Sequence, residues 1–89
     1  MTAVSVTAGH IAKGVRDSCR LCPVARALTE AFPCAELLAV DSAYVTIGEP
    51  GKWAEVDLPG VATRFIEAFD HGDPVEPFTF ELDYPAVTR

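Results

Sequence analysis

Cys19 and Cys22 stand three residues apart in SCRLCPVARAL, residues 18 to 28, with a proline and an apolar helical pattern directly behind them. Several chemistries suit that spacing. A Cys-x-x-Cys pair supplies half of a zinc site, and Cys34 with His10 or His71 would bring the set to three sulfurs and one imidazole. The same pair at a helix start and beside Arg20 suits a thioredoxin-like dithiol, because a helix N-terminus and a nearby cation both favour the thiolate. His10 acting as a base for either sulfur would give a Cys–His nucleophile. The plain alternative is a helix start in which Cys22 occupies the N-cap region and Cys19 packs beneath the loop as a small hydrophobe.

Geometry favours the plain alternative. If residues 23 to 32 form a helix rising about 1.5 Å per residue, Cys34 lies roughly 15 to 18 Å from Cys22, against a Zn–S bond of about 2.3 Å. One chain then gathers three thiolates only by breaking that helix. Zinc bridging two copies, or held by Cys19, Cys22 and His10 with an outside ligand, stays open as the metal or redox alternative. The segment before Cys19, HIAKGVRDS, is polar and lacks the buried strand that a thioredoxin-like motif follows. No third residue orients His10, which is expected at the surface. No catalytic residue and no cofactor are assigned.

Charge suggests other sites. Arg16 and Arg20, near the free amides of the same helix start, could hold a phosphate or carboxylate, although no Gly-rich cradle accompanies them. Glu55 with Asp57, and Glu81 with Asp83, are i, i+2 pairs that a strand would turn to one face, as a carboxylate site or as an imitation of nucleic-acid phosphates. Ordinary solvated strand faces are the favoured explanation of both pairs. Trp53, beside Lys52 and the Pro50-Gly51 turn, reads as a lid over the core edge or as an exposed anchor for a partner. His71, before Gly72, suits the negative end of a helix.

The elements that would carry these residues follow from periodicity. TAVSVT alternates Val4 and Val6 with small polar residues, as a half-buried strand does. Thr7 and Gly14 then bracket a short helical stretch that turns Ile11 inward. Val24, Leu28, Ala31 and Phe32 form one stripe of a helix over 23 to 32, with Pro23 in its first turn and Pro33 stopping it. LLAV, AYVTI and KWAEVDL read as a strand meander, with a type II turn at Pro50-Gly51 and a hairpin over 43 to 57. A second long helix carries Val61, Phe65, Ile66 and Phe69 between Pro59 and Gly72. PFTFELDYP closes as a strand with Phe78, Phe80, Leu82 and Tyr84 inward and an acidic face outward. The order β-α-β-β-β-α-β, with one apolar face per element, predicts an α+β fold. Its form would be a two-layer sandwich with helices on one face of a mixed sheet. The other sheet face would display Tyr44, Thr46, Glu81 and Asp83.

The 89 residues suit one domain spanning 1–89, and 49% hydrophobic with 22% charged residues is a globular composition. So short a chain buries only roughly 60 to 65% of its unfolded surface, which gives a homodimer interface room to matter. The opening lacks the basic start and apolar run of a signal peptide, and no stretch reaches a membrane span, so a cytoplasmic protein with reduced thiols is expected. The net charge of −6 is uneven: Lys13, Arg16, Arg20 and Arg26 cluster early, while eight acids against Arg64 alone fill residues 55 to 83. Overall acidity argues against nucleic acid as a partner.

The Cys19/Cys22 pair continuing as CPVARAL, with FIEAFDHGDPVEPFTFEL later, resembles small proteins of actinobacteriophages and related actinobacterial genomes. The resemblance implies a viral or mobile-element setting and assigns no activity to any residue here. The reading that results is a non-enzymatic interaction protein, a phage accessory factor that binds a host or phage protein, or itself, through Trp53, Tyr44, Glu81 and Asp83.

Overall fold

A computed structural model describes residues 2–33, 35–49 and 51–84. Cys34 and Pro50 lie outside the described residues, and with them the Cys34 to Cys22 separation and the proline of the expected turn. The chain is an α+β protein. Its order is β1 (Thr2–Val6), α1 (Ala8–Lys13), α2 (Pro23–Ala31), β2 (Leu37–Val40), β3 (Tyr44–Glu49), β4 (Lys52–Asp57), α3 (Gly60–Asp70) and β5 (Phe78–Leu82).

The strands make two antiparallel sheets, β1-β5 and β2-β3-β4, in place of the single mixed sheet that alternation suggested. Alternation fixes which face of a strand is buried but says nothing about its neighbour. β1 finds that neighbour at the far end of the chain, with Val4 opposite Phe80 and Val6 opposite Phe78. Helix α2 joins the two sheets, packing on both β1 and β2. Its Val24, Ala25 and Leu28 are completely buried in a core shared with Val4, Leu82, Val45 and Ile47. Helix α3 adds Ala62, Phe65 and Ile66 to the same cluster and reaches β5 through Phe65 and Phe78, whose rings lie 4.7 Å apart. Val61, expected on the α3 stripe, is 43% exposed. Ala62 takes its place, because 62, 65, 66 and 69 keep the i, i+3, i+4, i+7 spacing that places four residues on one face.

The two helix starts differ in chemistry. Thr7 caps α1 by accepting from the His10 amide at 3.3 Å, and the Thr7 amide donates back to His10 Nδ1 at 3.0 Å. This is a capping box with histidine where glutamate or glutamine is usual. His10 is consequently buried, contrary to its expected surface position. At α2, Cys22 is the N-cap and its Sγ accepts from the Ala25 amide at 3.4 Å, with Pro23 in the first turn.

The β3-β4 hairpin turns tightly, with Glu49 opposite Lys52 and Gly51 at φ +80°. That angle is the one a type II turn needs at its second central residue. Gly48 also sits at a positive φ, and a Cβ there would meet the Lys52 carbonyl oxygen at 2.5 Å. Any other residue would spread the two strands where Lys52 and Trp53 begin the outer one.

Candidate functional site

The loop of residues 14 to 22 shows what the cysteines do. Asp17 lies at φ +56°, a left-handed conformation that aspartate tolerates better than most residues. Its amide donates to Asp70 Oδ1 of α3 at 3.0 Å, and the Val15 amide closes the loop on the Leu21 carbonyl at 2.9 Å. The Cys19 carbonyl then accepts the Val40 amide at 2.7 Å, which fastens the loop to the outer edge of β2. Cys19 is exposed and Cys22 buried; both are free thiols lining a cleft of about 280 Å³ with Asp17, Asp41 and Asp70. His10 lies in a different groove. The structure therefore does not bring Cys19, Cys22 and His10 together, and no cluster of three potential metal ligands occurs among the described residues.

Burial pushes the Cys22 thiol above its ordinary value of 9.0, and the Ala25 and Val24 amides offset this only in part. A reactive dithiol requires a shift the other way. A thiol raised in the folded state stays neutral there while the unfolded thiol ionises from about pH 9 upward. Its contribution to stability is complete below the unfolded value and is lost as pH climbs toward the folded one. Denaturant titrations between pH 8 and 10.5 should show stability falling above pH 9, and falling less steeply in Cys22→Ala.

The expected anion pair is separated. The backbone reversal at Asp17 sends the Arg16 guanidinium toward Gly72 at the end of α3. Arg20 instead joins the groove with Lys13 and Arg26. The first turn of α2 offers no free anion site at Ala25, whose amide is already taken by Cys22.

The four residues expected on one exposed sheet face do not share one: Tyr44 and Thr46 lie on one sheet, Glu81 on the other, and Asp83 beyond its end. Glu81 lies on β5 opposite Ala3, and Asp83 follows that strand. Tyr44 and Trp53 do share a face of the other sheet, because Tyr44 pairs with Asp57, Thr46 with Glu55 and Gly48 with Trp53. Cross-strand partners point the same way. The opposite face sends Val45 and Ile47 into the core. Trp53 is 56% exposed, which does not suit a lid over the core edge. Glu55 and Asp57 flank it on the same side, as their spacing predicted. Asp41 first, and then Glu55, raise the Tyr44 phenol above its ordinary range, and a hydrogen bond to Asp41 adds to this. The face is aromatic and negative.

The backbone of β4 supplies a feature that side-chain reading missed. Asp41 donates to the Tyr44 carbonyl at 2.8 Å and Leu58 to the Ala43 carbonyl at 3.0 Å. In an antiparallel ladder, hydrogen-bonded and non-bonded pairs alternate. The register then makes Val56, Ala54 and Lys52 the residues bonded to β3 and turns the N–H and C=O groups of Trp53, Glu55 and Asp57 outward. On β2 the same alternation turns Val40 outward, where Cys19 covers it. No described backbone group covers β4 in that way. From Lys52 to Glu55 every residue of β4 is exposed, Ala54 on the core-side face included, so the hairpin end overhangs the core. The signal available in the sequence was Trp53 in a strand with charges on both faces.

No protein-family model, curated protein or solved structure matches the chain. No described helix is long and apolar enough to cross a membrane.

Proposed function

We propose that the chain is a small non-enzymatic binding module, an accessory factor of a phage or related mobile element acting in the bacterial cytoplasm. It takes an extended segment of a partner protein as an added strand along β4. The observation that carries this reading is the open β4 edge, with three consecutive outward backbone positions beside an exposed tryptophan. Added-strand recognition draws affinity from main-chain hydrogen bonds and specificity from alternate side chains. Here those side chains would meet Trp53, Glu55 and Asp57. A partner strand bearing lysine or arginine at alternate positions would offset the two carboxylates and place a cation on the indole face. A second copy of the chain fits less well, since two acidic faces would meet.

The chain's one tryptophan lies on β4, so its fluorescence reports on the site directly. A peptide alternating lysine with valine or threonine should shift the Trp53 emission saturably and lose affinity as salt rises; a glutamate counterpart should not. Amide exchange supplies the second measurement. In the free protein the amides of Trp53, Glu55 and Asp57 should exchange fast while Ala54 and Val56 are protected, and the peptide should slow the first three. Binding that leaves those three amides unprotected, or no binding of the basic peptide, overturns the reading.

A further inference from the structure

Helices α1 and α2 pack against each other and help to line an open groove of about 440 Å³ into which Lys13, Arg20 and Arg26 project. These are three of the six lysines and arginines among the described residues, gathered in one place on a chain of net charge −6. Arg26 is partly ordered: its Nε donates to the Leu21 carbonyl at 3.1 Å, which leaves the terminal guanidinium nitrogens for another acceptor. His10 lies at the groove, 7% exposed. Because its Nδ1 accepts the Thr7 amide, the ring proton sits on Nε2, where it faces Glu30 Oε2 at 2.9 Å. The one acid lining the groove is thus already engaged by the His10 imidazole.

We propose that this groove is a binding site for a small phosphorylated molecule carrying two or more adjacent phosphate charges, distinct from the β4 edge and independent of its function. Three separate cations exceed what a single carboxylate needs. Two of them are arginines, whose planar fork matches phosphate oxygens in pairs. The volume falls within the range of small-molecule sites. A polymer fits worse, because the eight acids between residues 55 and 83 make the remaining surface hostile to a continuing phosphate chain.

The full-length protein, titrated at low salt with pyrophosphate, inorganic phosphate or a single-stranded oligonucleotide, tests this by calorimetry and amide chemical shifts. Pyrophosphate should bind with one-to-one stoichiometry, at least tenfold tighter than phosphate, with shifts confined to residues 7–13 and 20–30. Arg20→Ala, at an exposed position, should weaken it at least tenfold, and Arg26→Lys, which keeps the charge but loses the fork, should weaken it severalfold. Glu30→Gln, which removes a negative charge and retains an acceptor for His10, should tighten it severalfold. Arg64→Ala should leave it unchanged. Non-saturating binding, an equal effect of Arg64→Ala, or tighter binding of the oligonucleotide would each overturn the assignment. The Trp53 response to the basic peptide should persist in Arg20→Ala, so failure of one site is read separately from failure of the other.

Discussion

Replacing Leu28 with alanine should cost about 3 kcal/mol or more of folding free energy and lower the melting temperature by roughly 12 to 24 °C. Leu28 is wholly buried on the helix that packs on both β1 and β2. Truncation removes the transfer free energy of its side chain and leaves a cavity between two sheets that share no strand. Neither sheet can close the gap by moving without losing its own contacts with α2, so little of the cavity term is recovered. A chain of this length has a total stability of only about 4 to 13 kcal/mol, and the loss is a large share of it. Val61→Ala is the matched control, because Val61 points to solvent and its truncation should change stability by less than about 0.5 kcal/mol. Thermal unfolding of both variants followed by circular dichroism gives the comparison. Similar melting temperatures would mean that α2 does not tie the sheets together.

The same pair of residues shows what the sequence could and could not tell. Helix α2 was legible from end to end, since Pro23 begins it and the apolar stripe runs out at Phe32 before Pro33. The hairpin was legible from its turn, and so were β1 and β5 from strict alternation. Helix α3 was legible in extent but not in rotation. Valine looks more like core than alanine does, yet the stripe through Phe65 and Ile66 runs to Ala62, and a rotation of one residue moves Val61 to the surface. The division into two sheets was not legible at all. Val4 opposite Phe80 is a pairing between chain ends, and no local period encodes it.

The candidate sites were legible in part, for similar reasons. Arg16 and Arg20 look like neighbours at a spacing of four, but that spacing has meaning only on a helix. Asp17 turns the chain there and Arg20 meets Lys13 and Arg26 instead. His10 looked solitary because histidine is an unusual third residue of a capping box, although Thr7 three residues before it was the available sign. Cys22 stands at the N-cap, as the decorated start of a helix required, but Cys19, expected to pack beneath the loop as a small hydrophobe, is exposed. The further role of Cys19 belongs to its carbonyl, which covers the edge of β2, and a backbone contact of that kind leaves no trace in residue type. That contact caps the outer edge of β2 at Val40, whereas no described backbone group meets the outward groups of Trp53, Glu55 and Asp57 on β4.

Two proline substitutions one residue apart on β4 should have opposite consequences. The Ala54 amide points to β3, so Ala54→Pro removes a ladder hydrogen bond, forces the ring against the neighbouring strand and should destabilise the protein by roughly 3 kcal/mol. The Glu55 amide points outward, so Glu55→Pro removes no internal bond, and edge positions of this kind tolerate proline. Its stability should stay within about 1 kcal/mol of the parent, while affinity for a basic peptide strand should fall by a factor of about 100, from the missing donor and the ring in the path of the added chain. Glu55→Thr separates charge from backbone: it removes the carboxylate but keeps the amide, and should weaken binding only severalfold. Fluorescence titration at Trp53 and chemical denaturation of the three variants supply both quantities. Should Glu55→Pro bind as Glu55→Thr does, the partner grips the aromatic face alone and the backbone edge plays no part. Should Glu55→Pro unfold as Ala54→Pro does, the alternation that places these amides on opposite sides of β4 is wrong.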